Sequence, residues 1–124
     1  MTDSREPAIR VIMMPKDTNA YGTIFGGVIL SYIDQAGAVE ARKHRTDLLV
    51  TIAMREVVFH KPVYVGDLVS FYTELVRIGN TSITVAVEVV ATRGNNPREH
   101  VKVTQAEVTF VNVGADRKPK PIPR

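Results

Sequence analysis

GVILSYIDQAGAVEARKH, residues 27–44, is the stretch whose reading decides the fold. Leu30, Ile33, Gly37 and Ala41 recur at helical spacing, and Val28, Ile29, Ala36, Ala38 and Val39 leave the segment apolar on most of its circumference. Such a helix has to be covered over much of its surface. Arg42, Lys43 and His44 gather at its end, where cations oppose the partial negative charge of the helix dipole. One residue breaks the pattern. Asp34 sits mid-helix, with Leu30 and Ser31 one turn before it and Gly37 and Ala38 one turn after, so little nearby polarity compensates a carboxylate. It either faces solvent or has work to do.

Outward on the N-terminal side, Ile9, Val11 and Met13 alternate with Arg10, Ile12 and Met14 up to Pro15, which predicts a short first strand. Lys16 to Tyr21 is a polar loop containing Asp17, Thr18 and Asn19, and Gly22, Gly26 and Gly27 punctuate the entry to the helix. The opening turn of a helix leaves backbone N–H groups unpaired at the positive end of the dipole, a place for an anion. A carbonyl seated there would be open to Asp34 two turns along, acting on water as a base or attacking directly. The plainer alternative is a tight loop-to-helix connection with no ligand.

On the C-terminal side everything reads as strand and turn. Strands are expected at Leu48–Phe59, Leu68–Ile78, Ser82–Thr92 and Val101–Val113, separated by turns at Pro62–Asp67, Gly79–Asn80 and Gly94–Pro97. In the third of these, Ile83, Val85, Val87 and Val89 face one side, the mark of a half-buried strand. The expected fold is α+β: an antiparallel sheet of about five strands wrapped round one long helix, in the order β-α-β-β-β-β. Short turns predict a meander, and the terminal strands leave edges that a two-fold dimer would pair. No repeat or second domain boundary is visible, so residues 1–124 read as one domain with a core at about 8–113. Residues 114–124 form a basic, proline-rich tail expected to be mobile.

Composition narrows the function. The chain has 124 residues, a formal net charge of +3 and no cysteine, which rules out disulfides, thiolate metal sites and a cysteine nucleophile. Of the positive charge, Arg117, Lys118, Lys120 and Arg124 sit in the tail, and basic residues do not alternate with aromatics as in a nucleic-acid binder. No apolar run approaches the roughly 20 residues of a membrane span, and Met1–Pro7 lacks the core of a secretory leader, so the cytoplasm is the expected compartment. His44, His60 and His100 lie outside the glycine loop and helix centre, and Ser31 and Ser82 lack a nucleophile context; neither a triad nor a metal cluster is predicted.

The motifs resemble those of hotdog-fold acyl-CoA hydrolases, the group of bacterial short-chain acyl-CoA thioesterases and the brain-type cytosolic hydrolase. Three blocks carry the resemblance: Pro15, Asp17, Thr18 and Asn19 with Gly22, Ile24–Gly27, Asp34 and Gly37; Phe59, Pro62, Val65, Gly66 and Asp67; and Gly79, Thr81 and Ser82. The resemblance implies that Asp34 is the catalytic carboxylate and that Asn19 of a partner subunit completes the site. It further implies that backbone at Gly26 and Gly27 polarises the thioester. The strand Val57–Val58–Phe59–His60–Lys61 and the turn with Gly79, Thr81 and Ser82 would flank coenzyme A. Arg93, Arg98 and Lys102 are candidates for its phosphates, and Tyr21 and Met54 for the acyl tunnel. Assembly as a dimer, and as a trimer of dimers, also follows from the resemblance. So does the lack of any cofactor, coenzyme A being part of the substrate. The competing readings are a hotdog dehydratase or hydratase, which would need a histidine that Lys16–Gly27 lacks, and a non-catalytic acyl-CoA sensor.

Overall fold

Helix α1 runs from Gly26 to Ala41 in the computed structural model, which describes residues 5–123. Strand β1 (Ile9–Ile12) and a single 3-10 turn at Pro15–Asp17 precede it; β2 (Leu48–Arg55), β3 (Leu68–Ile78), β4 (Ser82–Arg93) and β5 (Asn96–Val113) follow. All pairings are antiparallel, in one sheet ordered β1-β3-β4-β5-β2. This is the α+β arrangement expected, a sheet curled round one helix. The meander is shorter than predicted. Only β3, β4 and β5 follow one another as neighbours, while β2 lies beside β5 at the far edge. The connection over residues 56–67 is long enough to cross the fold, whereas the turns after β3 and β4 can only reverse the chain. The free edges are therefore β1 and β2, and the terminal strand β5 is interior.

The helix buries Ile29, Ile33, Ala36, Gly37 and Ala41, one stripe at helical spacing. Leu30, expected on that stripe, is only half-buried, with Ile29 in its place. Gly37 is needed here, because a Cβ would come within 3.2 Å of the Phe110 ring. Against the stripe stand Val69, Phe71, Val85, Val87, Val89, Val108 and Phe110, all fully buried. Each such side chain contributes about 1.5–3 kcal/mol relative to exposure. Cover is one-sided, since Ser31, Gln35 and Val39 remain exposed.

Three boundaries, and the tail, differ most from the sequence reading. The helix stops at Ala41 rather than His44, since Lys43 N–H and His44 N–H donate to carbonyls three residues back and tighten the last turn. Strand β2 stops at Arg55 because Glu56 takes φ 63° and turns the chain away, so Val57–Lys61 is irregular segment and not strand. Strand β5 starts at Asn96, leaving only Gly94 and Asn95 to reverse the chain. The tail is anchored. Lys120 N–H donates to Asn112 O at 2.8 Å, Ile122 N–H donates to Asn80 O at 2.9 Å, and the Ile122 side chain is buried with the core. One apolar residue in a basic, prolyl segment is enough to dock it. Arg124 and the first four residues lie outside the described part of the chain.

Candidate active site

The loop before α1 is folded by its own polar residues. Asp17 accepts from Met14 N–H and Lys16 Nζ, each at 3.0 Å, and those two partners, Met14 first, hold its carboxyl below the ordinary carboxylate range. Phe25 N–H donates to Asp17 O at 2.8 Å, pinning the start of the helix to the start of the loop. Between them Asn19 is the hub: its Oδ1 accepts from Tyr21 N–H at 2.8 Å and Thr23 N–H at 3.2 Å, and its Nδ2 donates to Thr23 Oγ1 at 2.9 Å. Those bonds, with Gly22 at φ 86°, present Tyr21 at the tip, 91% exposed.

The helix then opens at Gly26 with Phe25 as its N-cap and no side-chain cap. The first N–H groups of a helix have no partner within it, so those of Gly26 and Gly27 are donors available to a ligand. Two rings bracket this turn. A Cβ on Gly26 would lie 3.7 Å from the Phe59 ring, and one on Gly27 only 2.6 Å from that of Phe25. Beside Gly26 opens a cleft of 280 Å³, lined by Ile24, Ile29, Phe59, His60 and Lys61 among others.

Asp34 lies elsewhere in the same chain. Its Oδ1 accepts from Thr51 Oγ1 at 2.7 Å, which ties the helix to edge strand β2. Thr51 was missed by sequence reading, although a hydroxyl inside the apolar run LLVTIAM was a visible signal. Eight residues separate Gly26 from Asp34, about 12 Å of helix at 1.5 Å per residue. A single thioester carbonyl cannot reach both within one chain. The neighbourhood of Asp34 is built like an interface: β2 has one unpaired edge, and Leu48, Val50 and Ile52 on it are exposed.

The segments expected to flank coenzyme A are likewise apart. Val57–Lys61 is fastened to β5 by Thr104 Oγ1 donating to Val58 O at 2.7 Å and by His60 N–H donating to Val103 O at 2.8 Å. The Gly79–Ser82 turn is fastened to the other end of β5, through Asn112 N–H to Thr81 O at 2.8 Å. Nine residues of strand, about 30 Å, lie between the two anchor points. Arg93 is turned inward: its guanidinium donates to Asp67 at 2.7 Å and to Pro62 O at 3.0 Å and stacks over Tyr64. These contacts anchor the loop that carries Phe59 and His60. Lys102 is on the sheet face away from α1, with Glu88 and Gln105, and Arg98 is exposed on β5. Met54 is half-buried against the core.

Comparison with known proteins identifies the family. The family model of the thioesterase superfamily matches residues 21–97. The acyl-CoA thioester hydrolase YciA of Salmonella typhimurium is 39% identical over 124 residues, covering 98% of this chain and 93% of that protein. A hexameric hotdog fold thioesterase of Campylobacter jejuni superposes with a TM-score of 0.90 at 48% identity, over 98% of this chain and 93% of the other. A hexameric broad specificity acyl-coenzyme A thioesterase superposes equally well, with a TM-score of 0.90 at 36% identity over 100% of this chain and 85% of its own. A family match over more than half of the chain and likeness over nearly all of it lead to one conclusion: this chain belongs to the thioesterase superfamily, with its hotdog fold.

Proposed function

We propose that the protein is an acyl-CoA thioesterase, hydrolysing acyl-CoA to a carboxylic acid and free coenzyme A at sites shared between two subunits. The observation that carries the reading is the placement of Asp34, a carboxylate oriented by Thr51 on an open edge strand and about 12 Å of helix from the donors at Gly26 and Gly27. A second chain paired along β2 would bring the helix opening and Asn19 loop of one subunit to Asp34 of the other. Similarity to hydrolases and to hexameric thioesterases supports both the reaction and the assembly, a dimer further arranged as a trimer of dimers.

In this scheme the thioester oxygen accepts from the N–H groups of the helix opening, where the dipole favours developing negative charge. Asp34 takes a proton from a water as its oxygen attacks the carbonyl carbon, or attacks that carbon itself. The carbon–sulfur bond breaks and the thiolate leaves, to be protonated to free coenzyme A; the base route yields the acid at once, whereas direct attack leaves an anhydride on Asp34 that a water then hydrolyses to the acid. Asn19 acts in part by shaping the loop that reaches the partner. Val57–Lys61 from one subunit and Gly79, Thr81 and Ser82 from the other would flank the coenzyme A. No cofactor is called for, and the cytoplasm is the setting. Measuring coenzyme A release from short, medium and long acyl-CoAs with wild type, Asp34→Asn and Asn19→Ala tests the reading. Hydrolysis largely lost in Asp34→Asn is the expected result. Wild-type binding without hydrolysis across the panel would make the protein a sensor, and full activity in folded Asp34→Asn would remove the aspartate from the mechanism.

A further inference from the structure

The tail beyond β5 is docked against the turn that the proposed reaction assigns to coenzyme A. Strand β4 begins at Ser82, opposite Val111, so the last residues of β5 have no strand beside them on that side. The tail takes the place. After Val113 the chain reverses, with Arg117 at φ 66° and its N–H donating to Gly114 O at 2.9 Å. Pro119 then bridges Val113, and Lys120 N–H donates to Asn112 O at 2.8 Å. Asn112 N–H donates to Thr81 O at 2.8 Å, and Ile122 N–H donates to Asn80 O at 2.9 Å. The amide and carbonyl of one strand residue point to the same side, so Asn112 holds Thr81 and Lys120 next to each other. Burial of Ile122 with the core fixes the arrangement.

The docked segment carries cations to that turn. Lys120 Nζ lies 3.1 Å from Asp47 Oδ2, and Asp116 Oδ1 accepts from Lys118 N–H at 3.0 Å, so both nearby carboxylates are engaged. Arg117 and Lys118 are not. Both are exposed, and among the described residues no polar group pairs with either side chain. They stand within about 11 Å of Lys120 at the backbone, since three residues of chain span no more. The turn itself adds neutral donors: among the described residues the N–H groups of Asn80 and Thr81 and the hydroxyls of Thr81 and Ser82 make no hydrogen bond. Unengaged amides and hydroxyls beside a guanidinium and an ammonium are the donor set that phosphate oxygens accept from.

We propose that the docked tail is the phosphate-binding element of the coenzyme A site, Arg117 and Lys118 holding phosphates of the nucleotide end beside the donors of Asn80, Thr81 and Ser82. This rests on the reading that the Gly79–Ser82 turn flanks coenzyme A. The test compares an acyl-CoA with the matching acyl-pantetheine, which carries the same thioester and no phosphate, in wild type and in the whole chain bearing Arg117→Gln and Lys118→Gln together. Preference for acyl-CoA, as the ratio of the two kcat/KM values, should fall about tenfold or more with the loss of two charge-assisted contacts. An unchanged ratio in the folded variant overturns the site. So does an equal loss with both substrates, which would show that the two residues shape the fold and touch no phosphate. A sedimentation coefficient altered by the substitutions would make the tail a subunit contact and overturn it as well. Calorimetric titration with coenzyme A and with pantetheine, in the Asp34→Asn chain with and without the two substitutions, reads the same preference without turnover. A wild type that binds coenzyme A without hydrolysing acyl-CoA would thus sink the proposed reaction and leave this site measurable, whereas hydrolysis with an unmoved ratio sinks the site alone. Failure to bind coenzyme A at all overturns both.

Discussion

The contact on which the proposed chemistry depends most closely is the 2.7 Å hydrogen bond from Thr51 to Asp34. Thr51→Val keeps the β-branched shape that a strand favours and removes only the hydroxyl. A hydrogen bond to a charged group contributes about 1.5–3 kcal/mol, so kcat/KM for acyl-CoA should fall roughly ten- to a hundredfold while the protein stays folded. Steady-state release of coenzyme A measures it, and an unchanged rate would show that Asp34 is oriented by something else. Asp34 was legible in the sequence because a carboxylate in the middle of an apolar helix is conspicuous. Its partner was not, since the two are 17 residues apart on different elements and only the fold brings them together. Arg93 is the converse case: its charge was visible, but not its partner Asp67, with which it pairs while both side chains are nearly buried.

At the scale of elements, sequence pattern located every strand and the helix, and failed where backbone conformation or a distant contact sets the end. Nothing in the composition of Leu48–Phe59 announces that Glu56 adopts positive φ, and no periodicity reveals that Ile122 docks the tail. The end of α1 is held to β3 by a contact of the same unforeseen kind. Thr73 Oγ1 donates to Glu40 Oε1 at 2.9 Å, with Lys43 at 3.3 Å and His44 at 3.5 Å from the same carboxylate. Burial works against ionisation of Glu40, but the hydrogen bonds from Thr73 and Lys43, with His44 close by, outweigh it and hold the carboxyl below its ordinary 4.5. A depressed carboxyl stabilises the fold fully above the ordinary value and loses that contribution as the pH falls through the folded-state value. The stability gap between wild type and Glu40→Gln should therefore be constant near neutrality and close on the acid side of 4.5. Denaturant midpoints along a pH series would read it, and a gap that persists into strong acid would mean that Glu40 acts by packing and not by charge.

For the whole molecule, the decisive fact is that one chain holds all the proposed parts and cannot assemble them. The helix opening and Asp34 are separated by about 12 Å of helix, and the two coenzyme A segments by about 30 Å of strand. Composition and periodicity gave a dimer only as a remedy for exposed edges, and assigned those edges partly to the wrong strand. The observed order leaves β2 open, with Asp34 beside it, so pairing along β2 would close the edge and complete the site together. Sites shared in this way have a consequence that separate sites lack. In a dimer of one Asp34→Asn chain and one Asn19→Ala chain, one of the two sites receives both substitutions and the other receives neither. Chains co-expressed in equal amounts and paired at random should therefore recover about a quarter of wild-type activity, although each variant alone is nearly inactive. Coenzyme A release from the mixed, purified assembly is the measurement. Were Asp34 and Asn19 to work within one chain, every site would carry one lesion and mixing would restore nothing.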